Sequence, residues 1–512
     1  MTDSVINRLV AGPPAPGHRI SFVRLGSLRT LDLTELYEQS GHVAAYLRSL
    51  GVESGDRIGI LAANSLEWVL LDLAALRLKV VVAGFEPGKF TDAGELVARY
   101  GLTLLFTDRD VPADAPAAVR TFTDVAEAAR QAWPEPPGPV VYEPEEVTTI
   151  KFTSGSTGAP KGLGATVGSI DASMQAVQEI FEHRGGDNLF VFLPLSLLQQ
   201  RYWLYSALCF GHDATVTTYE AAFAALGTAR PTVVMGVPAF FEAARQQISQ
   251  DAARADGVAP EAARRAAARR LFGDRIRYLW TGSAPADREV LRYLTDAGLP
   301  LYEGYGLNET CIISKNHPGA HREGSVGRVL RGKEVLFDED GVILVRSEHP
   351  VNQRYEFAEP GDSERMFVAD GVVRTGDLGY VDEDGFLFIR GRADDVIVLG
   401  NGRKVIVRPI EEHMRTSPAI EECVVFCPAQ TSLVAVVSPS SDTPALEAIA
   451  EQLARTNASF GPDEQIRKVV VASPRPSIAN GMLTSQFKPK RQAIFAAFQS
   501  QITNNQDGIH AQ

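Results

Sequence analysis

Between residues 153 and 162 the chain reads Thr-Ser-Gly-Ser-Thr-Gly-Ala-Pro-Lys-Gly, and no other segment narrows the possible folds so strongly. Three glycines and four hydroxyl residues fall within these ten positions. Glycines let a backbone approach a polyphosphate and turn its N–H groups inward, and short hydroxyls add donors without bulk. Lys161 supplies a point charge for outer phosphates. The segment is not a Walker A loop, which needs Gly-Lys-Ser/Thr at a helix start. Pro160 also biases Ala159 away from helical geometry. A plain Ser/Gly loop is the alternative. The β-type run Val147 to Phe152 ahead of the loop, with Lys161 inside it, favours a nucleotide phosphate site.

At 512 residues the chain exceeds one hydrophobic core, so two or more domains are expected. A net charge of -13 argues against nucleic acid or an anionic membrane as the main partner. Cys209, Cys311, Cys423 and Cys427 show no metal-ligand spacing. Cys423 and Cys427 stand in an apolar run and read as buried reduced thiols. The opening Met-Thr-Asp-Ser lacks a basic region followed by an apolar stretch, so no secretory signal is expected. The longest apolar candidate, Trp68 to Phe85, is interrupted by Asp72, Arg77 and Lys79. It reads as a buried helix and a strand, not a membrane span. A soluble cytoplasmic protein, with no integral membrane segment, is expected.

Periodicity predicts a helix over Leu33 to Leu50 closed by Gly51, a strand over Arg57 to Ala63, a helix from Ser65 to Leu78 and a strand over Val80 to Val82. Such alternation makes a parallel sheet with helices on both faces. Ala115 to Pro139 reads as a surface connection. Further strands are predicted over Thr232 to Val237 and Arg275 to Trp280, with an Ala/Arg-rich helical stretch over Asp251 to Leu271. Its arginines read as a solvated face. Beyond Gly332 short strands with Gly/Asp turns, at Asp338 to Gly341 and Asp382 to Gly385, suggest a smaller β-rich part. A charged break at Arg390 to Asp395 precedes a mixed region, and the polar tail 499–512 reads as disordered.

Four more segments carry chemistry. Tyr302-Glu303-Gly304-Tyr305-Gly306-Leu307-Asn308-Glu309-Thr310 sets an aromatic between glycines and follows it with a carboxylate. Tyr305 suits a purine stack or a structural turn, and Glu309 suits Mg²⁺, which takes carboxylate oxygen beside substrate phosphates. Asp377, in Thr375-Gly376-Asp377-Leu378-Gly379, fits a pair of ribose hydroxyls or a plain turn. Arg392 and Asp394 sit at the charged break. Asn480 to Lys488 ends a Gly-led loop on a lysine.

In this order and spacing the segments resemble the adenylate-forming superfamily of acyl-CoA synthetases, non-ribosomal peptide synthetase adenylation domains and luciferases, from about Leu33 to Lys490. The helical insert before Leu271-Phe272-Gly273, the turn Thr281 to Pro285 and the Asn480 to Thr484 segment resemble the long-chain fatty acyl-CoA synthetase branch. The resemblance implies an α/β fold. A large N-terminal AMP- and acyl-binding domain, 1–391, would hold parallel-sheet layers with helices plus a β-rich subdomain. A small mobile α+β C-terminal domain, 392–512, would be hinged at 392–395.

The resemblance also implies an enzyme that activates a hydrophobic carboxylic acid with ATP and Mg²⁺ and passes the acyl group to coenzyme A. Thr153, Ser154, Gly155, Ser156, Thr157, Gly158 and Lys161 would cover the β- and γ-phosphates. Gly282, Ser283, Ala284, Glu303, Gly304, Tyr305 and Gly306 would frame the adenine, and Asp377 and Arg392 the ribose. Glu309 would hold Mg²⁺, Asn308 would stand by the α-phosphate, and Lys488 would act in the first half-reaction. Asp394 would be the hinge, with Gly400, Asn401 and Gly402 lining the thiol entrance. Leu197, Trp203, Met235, Gly236, Val237, Gly282 and Gly304 would surround the acyl group.

Two positions depart from the family pattern: Leu197 replaces a histidine or aromatic, and Asn308 a threonine that it can still imitate as a donor. Alternatives to the coenzyme A reading are an acyl-AMP ligase that stops at the adenylate or loads an acyl carrier protein, and a non-catalytic nucleotide-binding regulator. Monomer and homodimer are both open.

Overall fold

The computed structural model describes residues 4–112, 115–131, 137–153, 160–255, 257–369, 371–401, 403–428, 430–483, 489–504 and 508–510. The chain forms two compact units, Met1–Leu336 with Leu344–Arg374 and Val381–Leu387, and Phe337–Ile343 with Thr375–Tyr380 and Phe388–Gln512.

The first unit holds two sheets. The smaller runs, in spatial order, Val119–Thr121, Leu104–Thr107, Arg57–Leu61, Val81–Phe85, Val147–Thr153 and Lys161–Thr166. All its pairings are parallel except the last. The larger, nine-stranded sheet has a parallel centre of Leu301–Leu307, Tyr278–Thr281, Val233–Gly236, Asn188–Val191 and Asp213–Val216. Helices cover the strands because their apolar positions recur at helical spacing. Helix Leu66–Leu78 is capped by Ser65, whose hydroxyl accepts from the Trp68 N–H, and twelve of its thirteen residues are buried.

One of those buried residues is Asp72. Arg201, on helix Leu198–Phe210, reaches it at 2.8 Å, and the Tyr205 hydroxyl donates to its other oxygen at 2.6 Å. Removing either charge would strand the other in the core, at about 3–5 kcal/mol. The pair therefore fixes the register of one helix on the other.

Three sequence expectations change. Ala115 to Pro139 is not merely a surface connection: it contains strand Val119–Thr121 and helix Phe122–Arg130, the latter with a Thr121/Asp124 capping box. Phe122, Val125 and Ala129 are buried beneath it, a periodicity hidden by the surrounding prolines. The stretch Asp251 to Leu271 is two helices, Pro238–Ala253 and Pro260–Phe272, because Pro260 can begin a helix and cannot continue one. The described residues of the polar tail are also structured. Helix Arg491–Thr503 buries Ile494, Phe498 and Ile502, and Ile509–His510 adds a strand to the second unit. Within the tail only Ile502 continues the buried face, among Gln499, Ser500, Gln501 and Thr503, which is why its composition reads as disorder.

That second unit centres on strands Ile420–Phe426, Leu433–Pro439, Ile466–Val471 and Ile509–His510. Helices Arg408–Met414, Leu446–Ser459 and Arg491–Thr503 accompany them. The β-rich texture beyond Gly332 corresponds to the five strands Lys333–Phe337, Val342–Ser347, Phe367–Ala369, Val372–Val381 and Leu387–Arg392. The four cysteines carry free thiols, Cys423 being buried and Cys427 half-buried. Among the described residues no helix is long and apolar enough to cross a membrane.

Candidate functional site

Thr153 and Lys161 are paired across antiparallel strands, so the Gly-rich segment joins two strands and does not lead into a helix. This is the geometry expected once Pro160 rules out a Walker helix. Ser154, Gly155, Ser156, Thr157, Gly158 and Ala159 lie outside the described residues. Lys161 Nζ meets Asp362 Oδ1 at 3.1 Å and lies 5.4 Å from the ring centre of Tyr355. Against the effect of burial, Lys161 and Arg365 hold the Asp362 carboxyl below its usual range.

Glu309 sits on the turn between strands Leu301–Leu307 and Cys311–Lys315, and is 6% exposed. Its carboxylate accepts the Tyr355 hydroxyl at 2.6 Å. Burial, and then the Glu309 charge, push the Tyr355 hydroxyl far above its usual range, so it remains a donor. Thus the phosphate-loop lysine and the candidate metal carboxylate meet on two sides of one tyrosine, a residue sequence reasoning missed. Among the described residues no group of three His, Cys, Asp or Glu could hold a metal ion. A single hard carboxylate suits a cation that brings its other oxygens with it, as Mg²⁺ does on a polyphosphate.

The turn itself is gripped by two lysines. Lys151 Nζ donates to the Asn308 carbonyl, and Lys333 Nζ donates at 2.9 Å to the Thr310 carbonyl. No motif in the sequence pointed to either residue.

The adenine candidates also assemble. Thr281 pairs with Glu303, and a Cβ on Gly282 would come within 3.2 Å of the Gly304 carbonyl oxygen. Ser283 holds φ at +69°, and the Ala286 N–H donates to Glu303 at 3.3 Å. A side chain on Gly306 would collide with the Cys311 carbonyl. Behind them the wholly buried Lys315 donates to the Tyr302 carbonyl at 2.8 Å, 3.9 Å from the Trp280 ring centre.

In the second unit, Arg392 Nη1 reaches Asp377 Oδ1 at 3.0 Å and the Thr375 carbonyl at 3.2 Å. Gly376, at φ +72°, makes the turn that allows it. Asp394 is exposed, 3.8 Å from Arg392, in the 3-10 turn Ala393–Asp395. Its neighbour Asp395 is tied at 3.1 Å to Arg491, which also holds Glu411 at 2.8 Å. Gly400 donates to the Gln430 carbonyl at 2.6 Å and Asn401 to Asp463 at 3.2 Å. Gly402 and Lys488 lie outside the described residues.

The acyl candidates separate into two sets. Trp203 and Met235 border a narrow apolar cavity with Met174, Val177, Tyr202 and Trp280, about 20 Å³ in volume. The Trp203 indole donates to the Met235 sulfur at 3.2 Å. His183 and Ser206 close one end. His183 meets the Tyr278 hydroxyl at 2.6 Å, and Ser206 meets His212 at 2.8 Å. Leu197 and Val237 instead pack on a second core that contains Phe192 and Phe240, towards which Gly236 also faces.

With this geometry in view, residues 14–349 match the family described as AMP-binding enzyme, and residues 394–507 the AMP-binding enzyme C-terminal domain. The chain is 28% identical over 551 residues to the long-chain-fatty-acid–CoA ligase FadD15 of Mycobacterium tuberculosis, covering 91% of each chain. It is 27% identical over 409 residues to a 2-succinylbenzoate–CoA ligase of Bacillus cereus, covering 76% of this chain and 78% of that one. Among solved structures it resembles O-succinylbenzoate coenzyme A synthetase from Bacillus subtilis in complex with AMP, with a TM-score of 0.76, 21% identity and 99% of each chain covered. ATP-bound MatB from Rhodopseudomonas palustris gives a TM-score of 0.79 at 21% identity, covering 98% of this chain and 100% of that one.

Proposed function

The chain belongs to the AMP-binding enzyme family, and from that premise we propose how its own residues carry the reaction. It is an AMP-forming acid–thiol ligase for a hydrophobic carboxylic acid. A carboxylate oxygen bonds to the α-phosphorus of ATP as pyrophosphate leaves. The sulfur of coenzyme A then bonds to the acyl carbon, AMP leaves with the C–O electron pair, and the thiol proton passes to solvent. Both reactants of the first step are anions, so the protein contributes mainly position and positive charge.

Lys161 and the Gly-rich segment grip the outer phosphates. Asn308 donates at the α-phosphate, Glu309 would hold Mg²⁺, and Gly282 to Ala284 with Glu303 to Gly306 frame the adenine. When bound, the metal supplies positive charge at the phosphate oxygens. Asp377, oriented by Arg392, takes the ribose hydroxyls. Lys488 reaches the acid and the α-phosphate in the first half-reaction. Asp394 is the backbone pivot between the half-reactions, and Gly400 to Gly402 line the thiol entrance. The acid's apolar body lies against Trp203, Met235 and Trp280. The observation that carries this reading is the meeting of Lys161 and Glu309 at Tyr355. The reaction belongs in the cytoplasm. An acyl carrier protein is the second candidate acceptor, favoured by Leu197 where the family pattern has a histidine or an aromatic.

The test is acid-dependent ATP–pyrophosphate exchange across fatty, aryl and polycyclic acids, followed by assay of the coenzyme A thioester. Lys488→Ala should lower exchange by about 10²–10³ and spare transfer from a supplied acyl-adenylate. No exchange with any acid would sink the reading. Exchange without a coenzyme A thioester would move it to the carrier protein.

A further inference from the structure

Lys151 and Lys333 come from strands far apart in sequence and converge on one three-residue turn. Lys151, on strand Val147–Thr153, is 5% exposed. Its ammonium donates to the Asn308 carbonyl and lies 3.7 Å from the Cys311 sulfur. Lys333, at the start of strand Lys333–Phe337, donates at 2.9 Å both to the Thr310 carbonyl and to the Ser347 hydroxyl. The two carbonyls flank Glu309. Cys311 closes the turn at φ +56°, a conformation that favours glycine, and the Thr310 hydroxyl accepts from the Leu307 N–H at 3.1 Å. Backbone and side chains thus hold the turn from both sides.

A hairpin turn does not need this. A neutral donor would satisfy a carbonyl with a smaller desolvation penalty than a lysine taken from water. Two ammonium groups, by contrast, make charge-assisted bonds, which are shorter and stronger than neutral ones. Both bonds end on the backbone that carries Glu309, one on each side of it. The arrangement exceeds what folding requires at a point where position matters for chemistry.

We propose that Lys151 and Lys333 are positioning residues for Glu309, gripping the backbone on either side of it so that its carboxylate is held where the cation of the metal–nucleotide complex arrives. The proposal rests on the adenylation reading above and concerns residues to which that reading gives no role. Neither lysine touches substrate; both act through the turn.

Mn²⁺–ATP affinity by calorimetry, and the Mg²⁺ dependence of pyrophosphate exchange, test it in wild type, Lys151→Met, Lys333→Met and Lys333→Gln. Each methionine variant should weaken Mn²⁺–ATP binding and raise the half-saturating Mg²⁺ concentration by about tenfold, the range for residues that orient a metal ligand. Exchange at saturating Mg²⁺ should fall much less, and affinity for metal-free ATP should hold. In a Glu309→Gln background the lysine substitutions should add no further loss, since they act through that carboxylate. Lys333→Gln keeps a neutral donor on a half-buried chain and should fall between wild type and methionine, so it serves if the methionine variants do not fold. Lowered melting temperature with unchanged metal dependence would overturn the proposal, as would additive losses in the Glu309→Gln background. Wild type that binds no Mn²⁺–ATP would overturn the adenylation reading instead.

Discussion

The turn around Glu309 and the cavity beside Trp203 are neighbours in one unit, yet they are built from opposite materials. The turn is held by ammonium groups on carbonyls, a tyrosine on a carboxylate and a strained cysteine. Few of its atoms can move without breaking a directional bond. The cavity is walled by Met174, Met235, Trp203 and Trp280, whose contacts are mostly dispersive. Methionine adapts to irregular shapes, so that wall can yield to a ligand. Phosphate and metal chemistry tolerates no displacement, whereas fit to an acid's apolar body tolerates several shapes. On the proposed function the first region would govern the rate and the second the range of substrates.

Glu309→Gln should separate the two most sharply. It removes the carboxylate charge, keeps the size, and leaves an amide beside the Tyr355 hydroxyl. Pyrophosphate exchange should fall by about 10²–10³, with the ranking of acids unchanged. A changed ranking would mean that the turn also shapes the acyl cavity.

Acid should act on the cavity end. Burial holds His183 well below its usual range and brings His212 down to about 4. A histidine lowered in the fold is stabilising above its unfolded value near 6.5, and that contribution is lost as pH falls towards the folded value. For His212 the whole loss is about 3 kcal/mol, of which roughly 2 is gone by pH 5. Urea unfolding followed by tryptophan fluorescence reports on the first unit, which contains all four tryptophans. The midpoint should drop between pH 7.5 and pH 5, and His212→Gln should flatten the dependence. A flat wild-type profile would show that the histidine cluster does not constrain the cavity.

The same contrast governs what could be read in advance. Thr153 to Lys161, Glu309, Asp377 and Arg392 are chemically unusual in short, punctuated segments, so their types and spacing speak without a fold. Tyr355, Lys333 and Asp362 carry no such mark. They matter because the fold brings segments distant in the chain to Lys161 and to the turn around Glu309. The alternating helices and strands from Leu33 to Phe85 were legible because their apolar periods are uninterrupted. Helix Phe122–Arg130 lay hidden between proline-rich flanks, and the buried face of Arg491–Thr503 was masked by its glutamines and serine. Tertiary burial, not local pattern, decided those segments.

Met235→Leu should give a smaller effect, confined to the pliant side. The volumes are similar, so the packing loss should stay below about 1.5 kcal/mol. The sulfur that accepts from Trp203 and, at 3.5 Å, from Gln200 disappears, which frees the indole to turn. The ratio of kcat/KM between a flat aryl acid and a linear acid should shift by about fivefold, with Mg²⁺ dependence unchanged. A shift in Mg²⁺ dependence would couple the regions that the comparison separates.

Leu197→His should give the smallest effect. Leu197 stands at the N-cap of helix Leu198–Phe210, where its side chain makes no capping bond, and it packs on the core that contains Phe192 and Phe240. Its backbone already makes the local turn, donating to the Pro194 carbonyl at 3.0 Å and accepting from the Gln200 N–H at 2.9 Å. A half-exposed imidazole there can keep its nitrogens in water, so burial penalises it little. Adenylation kcat/KM should therefore change by no more than about twofold, and equally for fatty, aryl and polycyclic acids. Thioester formation, measured separately with coenzyme A, is where a histidine at this position would be felt if the family's residue opens the thiol path. A loss confined to bulky acids would instead place Leu197 on the acyl wall. It would also join the second core to the pliant cavity, and the division between a fixed chemical centre and one yielding pocket would have to be redrawn.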